Sequence, residues 1–158
     1  MFSQEEIDRG FLVSRDSSSE NAQKGSKKFA LFRDWAHFQQ YSEAQPEPQR
    51  NFYEVIQGHR GQKLKFDFDG DDIKQAEHVF PLVLTAIQDT FMQLFATQLS
   101  QHNLIVCNSH GATKRSWHVI IHGFYVANNV QAKEFYNRVS ERAPHTLTSQ
   151  GHPSLDPS

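Results

Sequence analysis

The chain has 158 residues and a mass of 18.2 kDa, the length of one domain able to bury a substantial core, to which thirteen phenylalanines contribute. A formal charge of −2 with a pI near 6.5 gives no global attraction to nucleic acid. Any such binding must come from local clusters such as Lys24, Lys27 and Lys28, or Arg60, Lys63 and Lys65, or Lys114 and Arg115. The single cysteine, Cys107, excludes an intramolecular disulfide and a multi-cysteine zinc cluster; inside the apolar run Leu104-Ile105-Val106 it is expected to be a buried thiol in a reducing compartment.

In chain order, Met1 to Arg9 carries Glu5, Glu6 and Asp8 with no apolar run behind them, against a secretory signal, and no stretch is long enough to span a bilayer. The expectation is a soluble intracellular protein without membrane partners. Ser14 to Ser26 is serine-rich and reads as a mobile loop, so residues 1–26 form an opening segment and residues 27–158 the folded core. Lys28 to Phe32 reads as a strand, and Asp34 caps a helix with Trp35, Phe38 and Tyr41 on its buried side. Phe52 to Ile56 and Leu64 to Asp69 are two strands expected to form a hairpin through Gly58 and Gly61.

From Val79 to Ser100, Phe80, Val83, Leu84, Ile87, Phe91, Leu94, Phe95 and Leu99 recur at three and four, marking a long amphipathic helix with Pro81 in its first turn. Strands at Leu104 to Cys107 and Trp117 to Ile121 follow. Asn128 then caps a helix with Ala132, Phe135, Tyr136, Val139 and Ala143 on its apolar face. Residues from Ala143 onward, with Pro144, Pro153 and Pro157, lack periodicity, and the chain stops just after Leu155-Asp156 begins another apolar-acidic pair, as a fragment would. The element order is that of an α+β fold with mixed or antiparallel sheets and packed helices.

Two stretches carry the chemistry. In Lys65-Phe66-Asp67-Phe68-Asp69, apolar and acidic residues alternate, so a strand points both carboxylates to one face and both rings to the other. The carboxylates then sit about 6 to 7 Å apart, suited to one hard divalent cation or a bridged pair of ions. The bland alternative is the solvated face of a half-buried strand. A calcium loop through Gly70-Asp71-Asp72 fits poorly, because the loop glycine falls fourth from Asp67 rather than sixth.

In Lys114-Arg115-Ser116-Trp117-His118, Ser116 and His118 share a face with Lys114, offering a hydroxyl, an imidazole and a cation to phosphate oxygens. Alone, His118 reads as an ordinary hydrogen-bonded strand histidine. A zinc pair of His118 with His122 is set aside, since four strand residues separate them by about 13 Å. Ser109 to Ala112 reads as a flexible loop over the site or a plain connector.

Together with Tyr53-Glu54-Val55-Ile56 and the long helix, these motifs resemble the archaeo-eukaryotic primase superfamily, most closely its primase-polymerase branch and the primases of large DNA viruses. The resemblance covers roughly residues 27–156, in the same order and with similar spacing. It implies the catalytic core of that superfamily, truncated at the C-terminus, with Asp67, Asp69 and Asp156 as ligands of two Mg²⁺ or Mn²⁺ ions. It further implies that Ser116, His118, Lys114 and, by position, Lys28 contact the incoming nucleotide. The implied activity is primer synthesis or strand extension by nucleotidyl transfer on a single-stranded DNA template, with nucleoside triphosphates as substrates and a helicase domain or replication proteins as partners. Members of the family continue past the third carboxylate with another strand, an arginine-bearing segment and helices, so activity of this polypeptide alone is in question. A non-catalytic nucleic-acid-binding or scaffold module, and a metal-dependent nuclease, stand as alternatives.

Overall fold

The computed structural model describes residues 2–16 and 26–143, together with the backbone of residues 155–156. The central part of the expected serine-rich loop, with Lys24, and the proline-bearing segment with Pro144, Pro153 and Pro157 lie outside the described residues. The chain divides into two compact units, residues 1–57 and 58–158.

The first unit opens with helix α1, Gln4–Arg9, held by a capping box in which the Ser3 side chain accepts from the Glu6 amide while the Glu6 carboxylate accepts from Ser3. Strand β1, Phe11–Asp16, follows and is the centre of a three-stranded antiparallel sheet. Its partners are β2, Lys27–Phe32, and β3, Phe52–Glu54. The expected loop therefore begins too early: Ser14 is a buried strand residue, paired with Phe29 and Tyr53 on its two sides. Helix α2, Trp35–Glu43, is capped as expected by Asp34, whose carboxylate accepts from the His37 amide at 2.8 Å. It packs Phe38 on Val13 and Phe32, with Phe11 and Phe52 at the margin. Only Phe38 of its expected apolar face is buried; Trp35 and Tyr41 stay exposed at the edges of this small core.

In the second unit, β4, Lys65–Gly70, and β6, Arg115–Ile121, are the central strands of an antiparallel sheet in the order β5-β6-β4-β7, where β5 is Leu104–Asn108 and β7 is Leu155–Asp156. The hairpin expected between residues 52 and 69 does not form. β3 pairs with β1, whereas β4 pairs with β6 and β7, so the glycine-bearing segment at Gly58 and Gly61 is a connection between sheets. Local turn residues permit a hairpin, but the pairing goes to the strands whose apolar faces share a core.

That core lies on one face of the sheet, under α3, Ile73–Phe95, and α4, Asn129–Arg142. Phe66 and Phe68 of β4 and Trp117, Val119 and Ile121 of β6 meet Val83, Ile87 and Phe91 of α3 and Phe135 and Val139 of α4. Phe80 stacks on Trp117 at 4.3 Å and 7°. Each such buried side chain contributes about 1.5–3 kcal/mol of transfer free energy.

Helix α3 starts earlier than its apolar spacing suggests. Asp72 caps it through the Gln75 amide at 3.0 Å, so the helix opens with Ile73-Lys74-Gln75-Ala76 and Pro81 falls in the third turn rather than the first. The helix ends at Ala96, a left-handed cap with φ 50°, before the expected Leu99. Leu99 is nonetheless buried from the following segment. Asn128 caps α4 as expected, through the Gln131 amide. No helix among the described residues is long and apolar enough to cross a membrane.

Candidate functional site

With α3 and α4 covering one face, the period of two leaves the other face to Asp67 and Asp69 of β4. Phe66 and Phe68 are each only 1% exposed, while the intervening aspartates are half-buried on the open side. The strand ends at Gly70, which faces the first turn of α3: a Cβ there would lie 2.5 Å from that of Ala76. A residue without a side chain lets helix and acidic strand approach this closely.

Register supplies the partners. Asp67 is directly opposite His118 on β6, and Asp69 is opposite Ser116. Residues facing each other in an antiparallel pair share a face, so the two expected motifs meet side by side. His118 Nδ1 lies 2.5 Å from Asp67 Oδ1. A carboxylate only accepts, so this ring nitrogen carries the proton and Nε2 is the free atom. Lys114, one residue before β6, donates from Nζ to Asp69 Oδ2 at 2.8 Å. Of the expected site residues, Asp67, Asp69, Lys114, Ser116 and His118 thus form one constellation.

Burial pushes the Asp69 carboxyl up, but the hydrogen bonds from Lys114 and Ser116, with the positive charges of Lys114 and His118, outweigh it and hold the group below its ordinary value of 3.8. The hydrogen bond to Asp69 in turn holds the Lys114 ammonium above its ordinary range. Ser116 is buried, so its hydroxyl acts on Asp69 rather than standing free.

The segment between β5 and β6 is tied down. The His110 ring accepts from the Ser116 amide at 3.2 Å and sits edge-on to Trp117 at 4.7 Å, while Gly111 donates to the Lys114 carbonyl. Arg115, beside the lysine, is engaged by Glu77 at 2.8 Å and by the Gly111 carbonyl. Sequence reading took His110 for part of a loop. The signal for its role is its offset of six from Ser116, which places it at the mouth of a hairpin once β5 and β6 are known to pair.

Cys107 is exposed, a correction to the expected buried thiol. β5 is an edge strand, and only its first residue, Leu104, packs against the core. Cys107 faces His118 in register, so a row Cys107, His118, Asp67, Asp156 crosses the sheet from β5 to β7. Asp156, the expected third acidic ligand, takes the position opposite Asp67 on the second side of β4. Lys28 lies in the first unit, on β2, opposite Arg15.

Among the described residues no group of three or more His, Cys, Asp and Glu side chains is arranged around one ion position. What fits a hard divalent cation is the carboxylate pair: Asp67 and Asp69 are hard oxygen donors on one face, and Asp69 already holds a cation, the Lys114 ammonium.

No known family model matches the chain. It is similar to proteins of African swine fever virus named helicase/primase complex protein. That of isolate Pig/Kenya/KEN-50/1950 is 26% identical over 147 residues. That of strain Badajoz 1971 Vero-adapted is 26% identical over 157 residues. Each match covers 82% of this chain and 14% of the viral protein, so the chain spans about one seventh of the length of these relatives.

Proposed function

We propose that this chain carries the nucleotide- and metal-binding face of a DNA primase or primase-polymerase, acting in viral-type DNA replication by nucleotidyl transfer. The observation that carries this reading is the register of β4 against β6, which sets Asp67 beside His118 and Asp69 beside Ser116 and Lys114. The names of the African swine fever virus relatives support a replication role. The same names support a helicase or other replication protein as partner, inside the infected cell.

In this reading Asp67, Asp69 and Asp156 would hold two Mg²⁺ or Mn²⁺ ions. Such ions would supply charge neutralisation of the triphosphate and would lower the pKa of a 3′-hydroxyl, so that it could lose its proton to solvent and bond to the α-phosphorus with pyrophosphate as leaving group. The residues around them orient the substrate. Asp67 fixes the His118 ring through Nδ1, and when the ring carries both protons its Nε2 donates to a phosphate oxygen. Lys114, on Asp69 in the free chain, would be the cation available to the phosphates. Ser116 holds Asp69 in position throughout. Template contacts are directed at the phosphate backbone of a single DNA strand, since such an enzyme accepts any sequence.

The test is calorimetric titration of nucleoside triphosphate with Mn²⁺ into the wild-type chain and Asp67→Asn. Binding in the wild type and its loss in the variant, with unchanged circular dichroism, are expected. A variant that still binds both normally overturns the site. A wild type that binds neither favours the scaffold alternative, and DNA degradation without nucleotides favours the nuclease.

A further inference from the structure

The first unit has a cation pair of its own. On the face of its sheet that bears α2, the last row across the strands is Lys28 on β2, Arg15 on β1 and Phe52 on β3, set by direct register. Like charges placed opposite each other destabilise a sheet unless an anion lies between them. Neighbouring cations have such partners: Lys27 pairs with Asp16 and lies over the Tyr53 ring, Arg33 pairs with Asp34, and Arg9 with Glu5. Arg15 and Lys28 have no ion pair or hydrogen bond to any of the described residues.

Both cations line one cavity of about 180 Å³, which they share with Val13, Phe32, Tyr41 and Phe52. Tyr41 is 38% exposed, and its ring lies 5.9 Å from that of Phe52, so an aromatic face stands next to the paired charges. Two free cations beside an accessible ring match a phosphate joined to a base. The cavity is smaller than the roughly 300–1,000 Å³ that encloses a whole small ligand. That size suits one unit of a longer strand resting on the mouth, rather than a free nucleotide taken inside.

We propose that Arg15 and Lys28, with the Tyr41 ring, form a contact site for the phosphate backbone and a base of single-stranded nucleic acid. The site assigns Lys28 to the strand instead of to the incoming triphosphate. It stands on the first unit and does not require the metal-site reading.

The test is fluorescence anisotropy of a labelled oligothymidylate with the whole chain, in EDTA and without triphosphate, across a salt series. Failure of the metal site leaves this measurement untouched. Arg15→Gln and Lys28→Gln are each expected to weaken binding about tenfold or more. Each should also lower the slope of log affinity against log salt by about 0.7. Tyr41→Leu should weaken binding with the slope unchanged, because stacking releases no counterions. In the absence of DNA, the melting temperature of Arg15→Gln should match or exceed the wild type, as relief of repulsion requires. If that variant does not fold, Lys28→Gln, at an exposed position, gives the same readout. Folded variants with wild-type affinity and slope overturn the proposal. So do variants that keep oligothymidylate binding and lose Mn²⁺-dependent triphosphate binding, which would give the cations to the free nucleotide.

Discussion

His118 stands opposite Asp67 across the β4–β6 pair, its Nδ1 2.5 Å from the carboxylate. The two residues are fifty-one positions apart in the chain, and the contact arises because the apolar residues between them in each motif are drawn to the same core. The side chain of His118 is 46% exposed, so packing does not fix it; the carboxylate does.

Replacing His118 with alanine should weaken triphosphate binding by about 1.5–3 kcal/mol, roughly ten- to hundredfold, the worth of a hydrogen bond to a charged group. Stability should change by no more than about 0.5 kcal/mol, as at other exposed positions. Calorimetry and thermal melting check the two halves. An equal loss in triphosphate binding and in metal-free DNA binding would mark a structural histidine.

The ion pair of Lys114 with Asp69 sets a pH window. Because the folded Asp69 carboxyl titrates below its ordinary 3.8, its stabilisation is present above that value and is lost as pH falls through the lower, folded one. The Lys114 ammonium, raised above 10.5, stabilises fully below that value and loses its contribution as pH rises through the folded one. The ¹³C titration of the Asp69 carboxyl should therefore show a midpoint below 3.8. Lys114→Met should move that midpoint upward, and an unmoved midpoint would remove Lys114 as the partner.

Gly70→Ala should destabilise the second unit by about 1–3 kcal/mol, the cost of forcing extra volume into a packed contact. The added methyl meets the Ala76 Cβ at 2.5 Å, and neither atom sits on a flexible side chain. A double variant with Ala76→Gly should recover much of the loss in chemical denaturation.

Cys107 faces His118 on the open side of the sheet and is the one cysteine in the sequence. Its alkylation by a maleimide should proceed readily in the free chain and slow when triphosphate and Mn²⁺ occupy the site. Equal rates in both conditions, measured by mass spectrometry, would separate the row at Cys107 from the bound substrate.

Asp72→Ala should cost about 1 kcal/mol through the first turn of α3, since it removes the acceptor of the Gln75 amide. That loss should appear in thermal melting without altering triphosphate affinity.

Much of the site was legible because period-two alternation is local. Phe66-Asp67-Phe68-Asp69 announces its own two faces, and so does Ser116-Trp117-His118. The caps at Asp34 and Asn128 were legible for the same reason, since each bonds an amide three residues on. The start of α3 was not, because Ile73 and Ala76, set among Lys74, Gln75 and Glu77, are too sparse an apolar pattern to mark a first turn. Cys107 misled because an apolar run does not reveal whether its strand lies at the centre or the edge of a sheet. The hairpin between residues 52 and 69 failed likewise: glycines permit a turn, and which strands pair is settled elsewhere.

By itself, then, the sequence determined which residues share a face on each strand and helix, because backbone geometry alternates side chains with a fixed period. Only the tertiary structure decided which strands lie side by side. It thereby brought Asp67 to His118, Asp69 to Ser116 and Arg15 to Lys28, because pairing is selected by burial of apolar faces far apart in the chain, and the polar faces are carried into register with them.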